Sequence, residues 1–426
     1  MVRSRDGEGA VRLGRRAFLA ASAAGLAGCA AAGPPPGRKV APLWFTYGGK
    51  NRQVLETLVR AFNQSQTEHW IKPIYQGDYF EGLAKLRTAI AARRAPALSH
   101  VVGEVVPYLA EADVLEPLDG YPGAGELGIV PALGQSGSWV GGADRRLVAL
   151  PFNRSTPIAY LNGKLFAEAK LAAPKTWAEL RETARVLTRS PARYGFGCPI
   201  DWWFWAALVG QAGADVVEAD GSVSLGGEAG VRALDFWKTL VLEDRSMKPP
   251  PGRDYNAWEQ TNQDFLGSRV AMIWTSTAFL KYLEENAPFP VVAAPLPGET
   301  RRAVPTGGTH WVMLRAAPEA EKLTAWAFLR FMHQTDSAIS WATSTGYLPV
   351  TRAAIEKLER DGYYEKHPND RVALDQLEVA RPWPWSPELF RVQREIVQPR
   401  LEGAVLGGRD TRVALDEARS LARRWR

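Results

Sequence analysis

Cysteine is nearly absent: the 426 residues contain two, Cys29 and Cys198. That excludes a disulfide framework and a zinc site built from four thiolates. The five histidines are isolated and no His-Glu-x-x-His pair occurs, so no metal site is expected. No run of about 20 apolar residues appears, which excludes a multi-span helical membrane protein. No P-loop and no Gly-x-Ser-x-Gly elbow occurs. One stretch, Gly123 to Gly128, formally matches Gly-x-Gly-x-x-Gly. It follows Pro122 rather than a strand and reads as a loop. Apolar residues make up 46% and charged residues 23%, which excludes disorder throughout, collagen and coiled coil.

A charge of one sign is also missing from most of the chain. Residues 1–28 carry five Arg against Asp6 and Glu8, a net +3, so half of the total +6 sits there. The remaining basic residues are scattered, with no stripe interleaved with aromatics, so nucleic acid is not an expected partner. What the sequence does have is tryptophan: 16 residues, all but Trp44 and Trp70 after residue 138. Indoles offer a broad face and one N–H to a ligand.

The N-terminus reads as an address. Arg15-Arg16 precedes Phe18-Leu19 and a short small-residue apolar run to Gly28. That run suits a signal peptide and is too short to span a bilayer. Twin arginine at this place looks like the twin-arginine export signal. Leu26-Ala27-Gly28-Cys29 resembles a bacterial lipobox, with Cys29 as the lipidated residue of the mature chain. The expected division is a signal over 1–28 and a flexible tether over 29–39. Cys198 then remains as the sole thiol.

From residue 40 apolar strands alternate with amphipathic helices. Val40 to Thr46 reads as a strand, followed by a helix with Leu55, Leu58, Val59 and Phe62 on one face. Ile71 to Tyr75, His100 to Val106 and Val270 to Thr275 read as further strands. Thr176 to Glu179 has the spacing of a capping box. A helical stretch runs from Glu319 to about Thr343. Such alternation predicts an α/β fold with largely parallel sheets. Two polar interruptions, Phe152-Asn153-Arg154-Ser155-Thr156 and Thr306-Gly307-Gly308-Thr309, suit segments that cross between lobes.

Four segments carry a family resemblance: YQGDY (75–79), LPFNRSTPIAYLN (150–162), PKTWAEL (174–180) and the long stretch from Thr345 to Leu377. With them the chain resembles the extracellular solute-binding proteins of ABC importers, family 1. Its likeness is strongest to the glycerol-3-phosphate and glycerophosphodiester binders. The resemblance implies a two-lobed periplasmic-binding-protein fold of type II, like maltose-binding protein. One ligand would sit in the interlobe cleft. Lobe 1 would comprise 40–152 plus 272–308, and lobe 2 would comprise 153–271 plus 309–426. Crossings are expected near 151–157, 306–311 and 268–276. No cofactor and no enzymatic activity are implied. The expected partners are a small solute, an ABC permease and the membrane through Cys29. The protein is expected to be monomeric and extracytoplasmic.

The resemblance also nominates ligand contacts: Tyr79, Glu104, Ser155, Trp202, Trp203, Ser276, Thr277, Gly308 and Tyr347. A carboxylate such as Glu104 can accept two polyol hydroxyls. Trp202 and Trp203 belong to a Trp-Trp-Phe-Trp cluster, of which a helix core could absorb two. An aromatic face there suits sugar C–H surfaces or a choline-like cation. One departure bears on substrate. The glycerol-3-phosphate binders place an Arg before the C-terminal helices, where this chain has Ser386. Arg381 or Arg391 could replace it, and Trp383 or Trp385 could instead stack on a ring or cation. A plain saccharide is therefore the alternative ligand. A secreted glycoside hydrolase is a rival from another class. It would need two facing carboxylates, and Glu104 is the only cleft acid the sequence argues for. An adhesion lipoprotein is a third reading.

Overall fold

The computed structural model describes residues 33–141 and 144–423. The signal segment and Cys29 lie outside the described residues. The chain divides at Arg38, and the architecture belongs to the unit that begins at Lys39. Lys39 already opens the first strand, so the tether expected over 29–39 ends one residue earlier.

Two five-stranded sheets organise this unit. The first starts with β1 (Lys39–Phe45), β2 (His69–Tyr75) and β3 (Leu98–Val102), linked by α1 (Gly49–Ser65) and α2 (Tyr79–Ala91). A hairpin, β4 (Ser138–Gly141) and β5 (Asp144–Leu147), precedes β6 (Leu150–Ser155). The next strand, β7 (Pro157–Asn162), already belongs to the second sheet. There follow α3 (Trp177–Leu187), β8 (Tyr194–Gly197), α4 (Trp202–Gln211), β9 (Met247–Lys248), β10 (Val270–Ser276) and β11 (Val291–Ala294). The short β12 (Val304–Pro305) leads into β13 (Gly307–Met313), which returns to the first sheet. Beyond it lie α5 (Glu319–Met332), α6 (Thr335–Thr345), α7 (Pro368–Asp375) and β14 (Ala380–Arg381).

The first sheet has the order β2-β1-β3-β13-β6, and the second β11-β7-β10-β8-β9. β1 pairs parallel with β2 and β3, while β13 runs antiparallel to β3 and β6. Both sheets are covered on both faces, as their apolar strands require. Along β1, Ala41, Leu43 and Phe45 enter one core and Trp44 packs on the other. Along β7, Ile158 and Tyr160 enter one core, Ala159 and Leu161 the other. This is the two-residue period of a strand.

Local signals explain the helix starts. Asp78 accepts from the Phe80 and Glu81 amides, each at 2.8 Å, and caps α2. Thr176 accepts from the Glu179 amide at 3.1 Å, half of the expected capping box. Glu179 returns to the Lys175 amide at 2.7 Å, one residue earlier than the motif predicts. All ten residues of α4 are buried, so the helix is apolar on every side. It lies within the second core rather than on its surface.

The expected lobe boundaries need correction. Residues 270–294 belong to the second sheet, because β10 and β11 both pair with β7. Residues 307–313 belong to the first, because β13 pairs with β3 and β6. Strands β10 and β11 of the segment 272–308 thus belong to the second half and the stretch from Gly307 to Tyr347 to the first, whereas from Leu348 onward the chain packs mainly on the second half's cores as expected. Strand pairing decides this, and an apolar strand reads alike in either sheet. No crossing occurs at 268–276, since β10 stays in one sheet throughout. The expected crossings near 151–157 and 306–311 are present, at Thr156 and Thr306. The expected long helix from Glu319 is two helices. Gln334 is extended between them, and the His333 ring nitrogens lie 2.8 and 3.1 Å from the Leu329 and Pro151 carbonyls.

Candidate functional site

The strands that run between the two sheets gather the polar side chains. Asn153 on β6 is fully buried. Its amide nitrogen donates to the Tyr79 hydroxyl at 3.1 Å and to the Tyr347 hydroxyl at 3.3 Å. Its Oδ1 accepts from the Thr309 amide at 2.8 Å and from the Thr309 hydroxyl. The Thr309 hydroxyl lies 3.0 Å from His100 Nδ1, while His100 Nε2 accepts from the Thr46 amide at 3.1 Å. That acceptor role leaves the proton on Nδ1, so the chain of donors runs from His100 to Thr309, Asn153 and the two tyrosines. Burial holds the His100 pKa down to about 3, so the ring is neutral.

The tyrosines arrive from opposite ends of the first half. Tyr79 starts α2, and Tyr347 follows α6. Their hydroxyls are 3.4 Å apart. Tyr347 stacks on Trp341 with ring centroids 5.7 Å apart, which fixes its plane.

Glu104 stands after β3 and is 8% exposed. Burial raises its carboxyl to about pKa 7, and the Asp201 charge adds to the rise. Its own backbone amide, Arg154 and the nearby Trp383 indole act in the opposite direction. Arg154, on β6, is 1% exposed. Its Nη2 donates to Thr306 Oγ1 at 3.0 Å, joining the two crossing segments. Burial lowers its pKa to about 10, with Glu104 and Tyr79 opposing, so it stays a cation at neutral pH.

The second half presents α4. Asp201 caps it by accepting from the Trp203 amide at 2.8 Å. Trp203 donates its indole N–H to the Thr306 carbonyl at 3.3 Å and stacks on Trp258, centroids 5.5 Å apart. Trp202 stacks on Trp383 at 5.7 Å. Glu104, Asp201 and Trp202 line one cavity of about 110 Å3 that draws on both halves, with Phe80 and Phe390 as further walls. Asp201 is thus a second acid in the cleft, where the sequence argued for Glu104 alone.

The other nominated residues divide. Gly308 lies at the β13 bulge with φ +89°, and a Cβ there would sit 1.8 Å from the Asn153 carbonyl. Ser155 is buried beside it, paired with Gly307. Ser276 is committed locally: its hydroxyl caps the Ala278 amide at 3.1 Å. Thr277 is fully buried, and its hydroxyl has no partner among the described residues. Three do not converge. Arg381 is exposed and meets the crossing only through its carbonyl, which accepts from the Thr306 amide. Arg391 is exposed and pairs with Glu395 one helical turn on. Trp385 turns its N–H to Glu111 in the first half, at 3.3 Å. Ser386 is buried. Sequence reasoning passed over Asn153, Arg154, Thr306 and Thr309, although all stand in the two polar interruptions it had marked.

Residues 57–369 match the family of bacterial extracellular solute-binding proteins. The chain belongs to that family. Among the relatives of this solute-binding protein is the sn-glycerol-3-phosphate-binding periplasmic protein UgpB of Yersinia enterocolitica. It is 27% identical over 404 residues, covering 88% of this chain and 90% of the relative. UgpB of Salmonella typhimurium is also 27% identical, over 401 residues, with the same coverage. Among solved structures, UgpB from Mycobacterium tuberculosis in complex with glycerophosphocholine superposes with a TM-score of 0.79 at 24% identity. That match covers 90% of this chain and 97% of that one. The GacH receptor of Streptomyces glaucescens, solved with and without acarbose, gives 0.81 at 19% identity over 90% and 97%. Maltose-bound MalE3 of T. maritima gives 0.81 at 20% identity over 91% and 100%. The fold is therefore the two-lobed type II, maltose-binding-protein-like fold that the resemblance implies. The protein is a solute-binding protein of the ABC-importer type, extracytoplasmic as its family is.

Proposed function

We propose that this protein captures a glycerol-3-phosphate-like or glycerophosphodiester solute between its two halves and delivers it to an ABC permease. The observation that carries the reading is the Asn153 amide donating to both Tyr79 and Tyr347. Both hydroxyls accept there and lie 3.4 Å apart, a polar pair that suits the hydroxyl oxygens of a solute. The hydroxyls bond Asn153 on β6, and Arg154 on the same strand lies within electrostatic reach of Tyr79 and the Glu104 carboxyl. Glycerol hydroxyls fit such a set of donors and acceptors. Closure of the halves would desolvate the solute, and hinge motion of this kind needs few residues. The curated relatives named for glycerol-3-phosphate binding support the same substrate class.

A neutral saccharide is the second reading. The Trp202 ring lining the interlobe cavity favours it, because an indole face packs on sugar C–H surfaces. The mature protein would start at a lipidated Cys29 and stay tethered to the membrane as a monomer.

A thermal-shift panel tests the reading. Solutes would include glycerol-3-phosphate, glycerophosphocholine, maltose and longer oligosaccharides. A ligand at 100 times its Kd stabilises the folded state by about 2.7 kcal/mol, a readily visible shift. A response to the glycerophospho compounds supports the first reading, and a response to saccharides alone supports the second. Silence across the whole panel would remove both.

A further inference from the structure

Arg154 combines deep burial with an incomplete set of partners. It offers five N–H groups in a fixed fork. Among the described residues only Nη2 is engaged, on Thr306 Oγ1, while Nε and Nη1 are buried without a partner. Among the described residues it forms no ion pair. Glu104 is the acid within electrostatic reach, and burial drives that carboxyl toward its neutral form. A buried guanidinium left in this condition is unfavourable unless an anion completes it.

The surroundings also carry buried indole donors. The Trp202 indole N–H is buried without an acceptor among the described residues, and the Trp383 indole N–H faces the Glu104 carboxyl. Their rings stack on each other, and Trp202 shares the interlobe cavity with Glu104. On the backbone, Arg154 stands opposite Gly308 at the bulge of β13, each two residues from its crossing at Thr156 or Thr306. Arg381 and Arg391 are exposed and do not reach this place.

We propose that Arg154 is the anchor for the anionic, oxygen-rich group of the solute, a phosphate monoester or diester. The proposal rests on the solute-capture reading above. A guanidinium fork matches two phosphate oxygens at once. In this chain the anion is thus held from the strand that joins the halves. The position that carries an arginine in glycerol-3-phosphate binders, Ser386 here, has no part in it.

Calorimetric titration of the full chain tests this with sn-glycerol 3-phosphate, glycerophosphocholine, inorganic phosphate and, as a neutral counterpart, maltose. The expected result is phosphate-ester binding by the wild type and a loss of about 100-fold in Arg154→Gln. Arg154→Lys keeps the charge but loses the fork, and should weaken binding about 10-fold. Arg391→Gln, on the exposed helix surface, should stay within about twofold. Circular dichroism and the thermal midpoint check that each variant folds. If Arg154→Gln does not fold, Arg154→Lys decides, and undiminished phosphate-ester affinity in it overturns the proposal. Folded Arg154→Gln binding phosphate esters within threefold of wild type also overturns it, and leaves solute capture standing. Wild type that binds maltose but no phosphorylated compound overturns it as well, and turns the site over to neutral sugars. Wild type that binds nothing removes the solute-capture reading itself, and the proposal with it.

Discussion

The Trp203 indole N–H donates to the Thr306 carbonyl at 3.3 Å, and its ring passes so close to Gly307 that a Cβ there would lie 2.5 Å from Cζ2. A helix of the second half is thereby locked onto the segment through which the chain returns to the first. Residues far apart in sequence meet at this one point. Changes at either crossing should therefore affect both folding and capture.

Two glycines should respond in opposite directions. Gly308 combines φ +89° with the Asn153 carbonyl in the space a Cβ needs. Gly308→Ala is expected to destabilise the fold by at least about 2 kcal/mol. Gly403 is helical and has nothing within 4 Å of its Cβ position. Gly403→Ala should stabilise by about 0.5–1 kcal/mol. Denaturant unfolding of the two variants checks the contrast, and equal effects would contradict it.

Glu104 gives the protein a pH dependence. Its folded pKa is raised from the ordinary 4.5 to about 7, first by burial and then by the Asp201 charge. The folded state thus holds the proton more tightly than the unfolded chain does. The contribution is fully present below pH 4.5 and is lost as pH rises to 7, on the order of 3 kcal/mol in all. His100 works in the other direction, since burial lowers its pKa and stability is lost as pH falls below 6.5. The difference between wild type and Glu104→Gln isolates the carboxyl. Unfolding at pH 5 and pH 8 should show the wild type losing stability relative to the variant. A constant difference would place Glu104 in a more solvated site.

Tyr79 and Asn153 should separate binding from stability. Tyr79→Phe removes one hydroxyl at the edge of the network, and solute affinity should fall about 3- to 10-fold with little change in thermal midpoint. Asn153→Ala leaves the buried Thr309 amide without its acceptor and should destabilise by about 1–3 kcal/mol. Calorimetry with glycerophosphocholine and thermal melts of both variants provide the measurement. The reverse pattern would make Tyr79 structural.

The N-terminal address is testable apart from the fold. Protein expressed with its own N-terminus in a bacterial host should partition into the detergent phase of a Triton X-114 extraction. Cys29→Ser should move it to the aqueous phase, since a thioether-linked lipid requires the cysteine sulfur. Equal partitioning of the two would remove the anchor from the account.

Local sequence signals specify much of this fold. The 3.6-residue spacing of Leu55, Leu58, Val59 and Phe62 placed the first helix and its buried face. Apolar runs flanked by turn residues located the strands, and the two polar breaks marked the crossings at Thr156 and Thr306. These are local signals, carried by neighbours along the chain. The motifs at 75–79, 150–162 and 345–377 carried the family.

Other features were decided by contacts between distant residues. Whether β10 and β13 join the first sheet or the second depends on pairing, and a fully buried strand has the same composition in either. Arg154 looks like one more polar residue in FNRSTP. Its significance appears only when folding removes water from its guanidinium and supplies a single acceptor, 152 residues away. Arg381 and Arg391 carry the same charge in sequence, yet the fold leaves both in solvent. Local pattern thus determined the elements and the family of this protein. The tertiary structure alone decided which charges lost their water, because desolvation is a property of the packed neighbourhood and not of the chain segment.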